Sequence, residues 1–253
     1  MSAALKLQQV RAIIALDLAR HMIARSWAAL GTTDADRFLL TAFTPEPRRI
    51  NPVRVRSESS YLAARQSVSQ ALVRTLAAEA LAVAAEAGGG PAAATVDWAR
   101  LFGGSRPGAG ATALGRARSE PDFERAAERC FEEVDGFDRS GAQALRVVME
   151  SVALLLGTGS YRYLRPSPHL LSAMVGALAP RLPLSSEDFF AAVWDEWGLV
   201  IGESEAAQTI LAEQLDGGEL RRNGRLCERL LAATGLAVSL SDQTVMVERA
   251  RVA

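Results

Sequence analysis

Asn223-Gly224-Arg225-Leu226-Cys227-Glu228-Arg229-Leu230-Leu231-Ala232-Ala233-Thr234-Gly235 reads as one helix closed by a glycine, and the rest of the chain is read outward from it. Leu226, Cys227, Leu230 and Leu231 recur at helical spacing and are expected to turn to a core. Gly235 supplies the residue type at which helices most often stop. Arg222, Arg225 and Arg229 fall at i, i+3 and i+7 on another face. Leu236-Ala237-Val238-Ser239-Leu240, a short turn and Thr244-Val245-Met246-Val247-Glu248 follow, spaced as a β-hairpin. Upstream, Ser185 or Ser186 caps a helix holding Phe189, Phe190, Val193, Trp194 and Trp197, and a further helix is expected from about Ser204 to Gln214.

Toward the N-terminus, residues 3 to 30 read as one long helix. Leu7, Val10, Ile14, Leu18, Met22 and Ile23 form its expected core stripe, with Gln8, Arg11, Arg20 and Arg25 largely off it. At about 1.5 Å per residue it spans about 40 Å. Gly31 ends it, and Thr33 suits the cap of a short second helix reaching about Phe43, with Asp34 and Asp36 in its positive first turn. Prolines at 45, 47 and 52 predict non-helical chain from Thr44 to Ser57. An alanine-rich helix from Ser59 or Ser60 to Glu86 then stops at Gly88-Gly89-Gly90-Pro91. Residues 88–120 hold eight glycines and are expected to be a linker around one short docking turn, Asp97-Trp98-Ala99-Arg100-Leu101-Phe102. Beyond it, Ser119-Glu120-Pro121 opens a helix with Phe123, Ala126, Cys130, Phe131 and Val134 on one side. Ser140 caps a strongly apolar helix through Leu156, ended by Gly157-Thr158-Gly159. Tyr161 to Arg165 reads as extended, and Ser167-Pro168 opens a helix that closes before Pro180. The fold class is therefore mainly α, with bundle-like helical halves at 1–87 and 121–184, a linker at 88–120 and a C-terminal module over 185–253.

A chain of 253 residues can bury one large core or two smaller ones. Its 49% hydrophobic and 23% charged residues mark a globular rather than a disordered composition. A formal net charge of -1 gives no global attraction to a polyanion, so any such attraction must be local. Lys6 is the only lysine, which removes the phosphate-loop reading of Gly103-Gly104-Ser105-Arg106-Pro107-Gly108-Ala109-Gly110. Leu156-Gly157-Thr158-Gly159-Ser160 lacks the third glycine and the strand-then-helix context of a dinucleotide loop, and a helix C-cap is expected there. Gly-x-Ser-x-Gly does not occur, and His21 and His169 have no local acid or nucleophile. Cys130 and Cys227 have no metal-site spacing and read as buried reduced thiols, which suits a cytoplasmic protein. No cofactor is expected. Ile13-Ile14-Ala15-Leu16 is interrupted by Asp17, Arg20, His21 and Arg25, so a leader or a membrane span is not expected.

Two charge clusters remain. From Ser185 to Asp216 the chain carries Glu187, Asp188, Asp195, Glu196, Glu203, Glu205, Glu213 and Asp216 and no base. A carboxylate-held magnesium site would need two or more of them to converge, whereas solvated helix surface and acid-favouring first turns explain most. Arg48, Arg49, Arg54 and Arg56 form the densest basic cluster. On extended chain Arg54 and Arg56 would project to one side, a grip for phosphates or for an acidic partner. Tyr161-Arg162-Tyr163-Leu164-Arg165 interleaves aromatics with arginines as single-strand binders do, but is short, and core packing by the tyrosines is the expected role.

In element order, residues 185–249 resemble a winged helix-turn-helix module. Ser186-Glu187-Asp188-Phe189-Phe190 would open its first helix, Ala206 to Gln214 form the second, Asn223 to Thr234 the third, and the hairpin the wing. The resemblance covers roughly a quarter of the chain. It implies a three-helix module whose third helix, in DNA-reading members, enters the major groove, here with Arg222, Arg225 and Arg229. The eight acids on the first two helices would lie beside the phosphates, and six arginines against four acids over 217–253 do not offset them. Protein docking is thus the expected use. The function read from the sequence is a non-enzymatic subunit or adaptor of a bacterial multi-protein assembly, working by helix-packing contacts with protein partners. Nucleic-acid binding through the basic loop or Arg222, Arg225 and Arg229 is the alternative, and a carboxylate-dependent magnesium enzyme a weaker one. Pairing between copies of the chain is left open. Ten bases against five acids over residues 1–66 face the acidic 185–216 as complements, within one chain or between two.

Overall fold

Without glycine or proline from Ala3 to Leu30, the N-terminal sequence sustains one unbroken helix in the computed structural model: α1 (Ala3–Leu30), closed at Gly31 with φ 67°. The structure describes residues 3–44, 51–86, 139–159, 161–181, 183–241 and 244–248. The expected linker at 88–120, its docking turn and the helix of 121–134 with Cys130 lie outside the described residues. The described chain is mainly helical, with three small sheets. It forms two compact units, one of Met1–His21, Thr33–Ala64 and Arg146–Ala253, the other of Met22–Thr32 and Arg65–Leu145.

The expected second helix does not form. Asp34–Asp36 make a single 3-10 turn, and Phe38 to Phe43 run extended, with Leu39–Leu40 as strand β1. Six residues without a charge or a helix breaker could adopt either structure, and burial decides, since Leu39, Leu40, Ala42 and Phe43 all lie inside. The next helix, α2 (Pro52–Glu86), starts seven residues earlier than Ser59. Asn51 supplies the cap: its Oδ1 accepts the Arg54 backbone N–H at 2.9 Å, while its Nδ2 donates to Thr44 Oγ1. Pro52 therefore sits where its missing N–H costs nothing, and it begins the helix rather than breaking it. Ser57 and Ser60 face the strands. Ser57 Oγ accepts from Leu164 N at 2.9 Å and Ser60 Oγ from Leu40 N at 3.1 Å.

Helix α3 (Arg139–Ser151) also ends earlier than Leu156. Ala153 at φ 53° turns the chain, Leu154 N bonds back to Met149 O at 3.1 Å, and Leu155–Leu156 become strand β2. Strand β2 pairs antiparallel with β3 (Tyr163–Leu164), so Gly157-Thr158-Gly159 belongs to a hairpin and not to a helix cap. Gly157 holds φ 95°, and a Cβ there would run into the Tyr161 carbonyl oxygen. Ser167 caps α4 (Pro168–Ala177), accepting from Leu170 N at 3.1 Å, as expected.

The C-terminal elements of the first unit then follow in order: β4 (Leu184–Ser185), α5 (Ser186–Trp197), β5 (Leu199–Val200), α6 (Glu203–Ala206), α7 (Leu211–Gln214), α8 (Gly217–Ala233), β6 (Ala237–Ser239) and β7 (Val245–Val247). Ser185 caps α5, and Gly198 ends it in the left-handed conformation. The expected helix over 204–214 is instead two single turns, α6 and α7. The opening helix α8 begins earlier than Asn223, with Asp216 Oδ1 accepting from Gly218 N at 2.7 Å. The hairpin β6–β7 forms as expected, and β4 joins it to give the order β4-β7-β6.

Strand β1 pairs in parallel with β5, Leu39 opposite Leu199 and Leu40 opposite Val200, across 160 residues of chain. Buried Asn223 on α8 closes this layer, accepting from Phe43 N at 2.8 Å and donating to the carbonyls of Thr41 and Ile201 at 2.9 Å each. Leu40, Val53, Val200, Ala206, Leu211 and Leu220 pack there into one core. In the second unit, Ile23, Trp27, Val68, Ala71, Ala142 and Leu145 are buried. Gly141 packs so closely on α2 that an added Cβ would lie 3.2 Å from Val68 Cγ1.

Candidate interaction surfaces

Arg48 and Arg49 lie outside the described residues. Arg54 and Arg56 stand on the first turns of α2 and not on extended chain. Two helical steps separate side chains by about 200°, so the expected same-side pairing of these arginines is lost. Arg54 is used inside the unit. Its guanidinium lies over the Tyr163 ring, 4.3 Å from the centroid, and its Nε is 3.5 Å from Glu58 Oε1. Tyr163 is thus half-buried against Arg54, whereas Tyr161, also expected to pack in the core, is exposed; Arg162 pairs with Glu150 at 3.3 Å. Arg54 and Arg162 are therefore committed to partners within the unit, while Arg56 is half-buried.

Arg222, Arg225 and Arg229 are all exposed on α8, opposite Asn223, Gly224, Cys227 and Leu231, which are buried. Leu226 and Leu230, expected in the core, are only half-buried at its margin. Acids border this face. Glu228 accepts from Ser186 Oγ at 2.6 Å, and Arg221 on the adjacent turn is held by Glu203 at 2.6 Å. Burial pushes the Cys227 thiol well up, with the Glu228 charge adding to it, so this sulfur is a poor nucleophile.

The acids of 185–216 disperse. Asp188 and Asp216 serve the starts of α5 and α8, Glu196 pairs with Arg181 at 2.8 Å, and Glu203 with Arg221. Glu205 is buried and accepts from Gly202 N at 2.9 Å; desolvation raises its pKa, partly offset by backbone donors. No three His, Cys, Asp or Glu side chains among the described residues come together in a way that could hold a metal ion. No helix among them is long and apolar enough to cross a membrane.

The surface that sequence reasoning turned the wrong way is on α1. The first four residues of its expected core stripe face outward, Leu7, Val10, Ile14 and Leu18 being 62%, 54%, 62% and 49% exposed, while Met22 is half-buried and Ile23 is buried as expected. The buried face is a second stripe, Ala12, Leu16 and Ala19, continued by Ile23 and Trp27. Polar anchors fix the rotation of the helix. Gln9 Nε2 donates to Ser172 Oγ at 2.9 Å, Trp197 Nε1 to Asp17 Oδ1 at 2.8 Å, and Arg20 to the Asp195 carbonyl at 2.8 Å. Small Ala12 and Ala19 allow close approach on the inner side, leaving the larger aliphatics outside. The signal was present, since α1 has more apolar positions than one stripe can use. Comparison with protein-family models, curated proteins and solved structures returns no match. The surfaces themselves are therefore the ground for function.

Proposed function

We propose that this chain is a non-enzymatic subunit or adaptor of a multi-protein assembly, working in the cytoplasm by helix-packing contacts. The observation that carries the reading is the outward stripe of α1, four aliphatic side chains in line on a helix whose other face is already anchored. Scattered apolar residues on a surface are ordinary, but a contiguous row at helical spacing is what a helix-docking partner covers. Burying each of these half-exposed side chains contributes roughly 1 kcal/mol. Four give about 4 kcal/mol, no more than the loss of translational and rotational freedom on association costs. The row alone is too weak for a standing complex, so the partner must reach further contacts. Substituting serine for Ile14 and Leu18 tests the reading. The unfolding transition should stay within about 0.5 kcal/mol of wild type, because neither side chain is in the core, while proteins that co-purify with the native chain are lost. An unchanged set of co-purifying proteins sinks it.

A second reading is nucleic-acid binding through a winged-helix-like element. It is supported by the exposed row Arg222, Arg225 and Arg229, and by the three-stranded sheet that brings β4 beside the β6–β7 hairpin. The acids beside that row weigh against it. Retention on DNA at low salt that falls steeply as salt rises is the required result, and no retention at low salt removes the reading.

A further inference from the structure

We infer that the outward face of α1 takes an amphipathic helix of a partner protein whose flanking positions are acidic. This rests on the helix-docking reading above and adds the partner's secondary structure and charge. From Leu7 to Leu18 the backbone N–H and C=O groups of α1 lie inside the helix and are paired within it, so an extended peptide finds no backbone groups to pair with along the stripe, and only side-chain packing remains. Leu7, Val10, Ile14 and Leu18 occupy steps of three, four and four, a straight line of about 17 Å along the axis. That is the anchor spacing one helix presents to another.

The charge follows from what borders the line. Lys6 and Arg11 are exposed, and neither is paired with an acid among the described residues. Asp17, the one acid on this length of helix, keeps its charge while accepting from the indole N–H of Trp197, and Arg20 keeps its charge while donating to the Asp195 carbonyl. With Lys6, Arg11 and Arg20 against Asp17, the net charge along this stretch of the helix is positive. A second copy of α1 brings the same excess of cations, with the single carboxylate of Asp17 already accepting from Trp197, whereas glutamates flanking the anchors of a partner helix meet Lys6 and Arg11 both.

The test uses the full chain and two labelled synthetic helices of equal length, each with leucines at i, i+3, i+7 and i+11, one flanked by glutamates and the other by lysines. Fluorescence anisotropy at low and high salt should show saturable binding of the glutamate helix, at least tenfold tighter than the lysine helix and weakened by salt. Lys6→Glu with Arg11→Glu should reverse the preference, and Ile14→Asp should abolish binding of both, with unfolding curves matching wild type in each variant. Equal binding of the two helices overturns the charge assignment and leaves helix docking standing. Binding of neither helix, while serine at Ile14 and Leu18 still strips co-purifying proteins, overturns the inference but not the docking reading. A concentration-dependent dimer in sedimentation that Ile14→Asp dissolves identifies a second copy as the occupant and overturns the inference.

Discussion

Asn223 satisfies three backbone groups with one amide, and each lies where water does not reach. Alanine at this position strands the Phe43 N–H and the carbonyls of Thr41 and Ile201. An orphaned buried group costs about 1–3 kcal/mol, so Asn223→Ala should lose at least about 3 kcal/mol in a denaturant titration. That is a large part of what a domain of ordinary stability holds. Glu205 behaves in the opposite sense. Its folded pKa is raised, chiefly by desolvation, so the stability it contributes is present below its ordinary pKa and lost as pH rises through the folded value. Glutamine keeps an acceptor for Gly202 N–H and carries no charge. Glu205→Gln should therefore match wild type near about pH 4 and be the more stable protein near about pH 8, by unfolding titrations at both; a lead confined to acid would reverse the assignment.

At the scale of elements, the β2–β3 hairpin depends on a glycine that the sequence offered as a helix stop. Gly157→Ala places a Cβ against the Tyr161 carbonyl at φ 95°, so the turn must shift, at a cost of about 1–3 kcal/mol. For a chain of this size the melting temperature should fall by several degrees, about 2–4 °C per kcal/mol. Elements marked by local chemistry were legible. Ser167-Pro168, Ser185, Gly31 and Gly235 each begin or end a helix where their side chains or lack of one dictate. Strands of two residues were not, because Leu39–Leu40 and Leu155–Leu156 are too short to show alternation, and Leu39 finds its partner only at Leu199. Asn51-Pro52 carried a cap-and-first-turn signal that the crowd of neighbouring prolines concealed. On α1 the period gave the helix but not its rotation. Two stripes competed, and the choice of Ala12, Leu16 and Ala19 for the inside was made by residues such as Ser172 and Trp197, more than 150 positions away. The arginine face of α8 was legible as a row, while the internal use of Arg54 was not, since Tyr163 lies far along the chain.

For the whole molecule, the first unit is assembled from separated stretches of one chain, and its innermost layer joins residues 39–44 to 199–201 and 223. A chain cut after Gln214 keeps β1, β5 and most of the apolar residues but loses α8. The first unit of that chain should give no cooperative unfolding transition by circular dichroism on heating, and a transition at the wild-type temperature with wild-type amplitude would show that α8 is dispensable. The parallel pairing of β1 with β5 also sets an order of events. Such contacts close a very long loop, and topologies dominated by them fold slowly. During synthesis, Leu39 to Phe43 leave the ribosome long before the residues that will accept and donate to their backbone exist. At about 5–20 residues per second, that interval lasts on the order of ten seconds or more. In that window a bare apolar strand and the aliphatic row of α1 are exposed together, the kind of transient surface that makes a newborn chain more prone to aggregate than the finished protein.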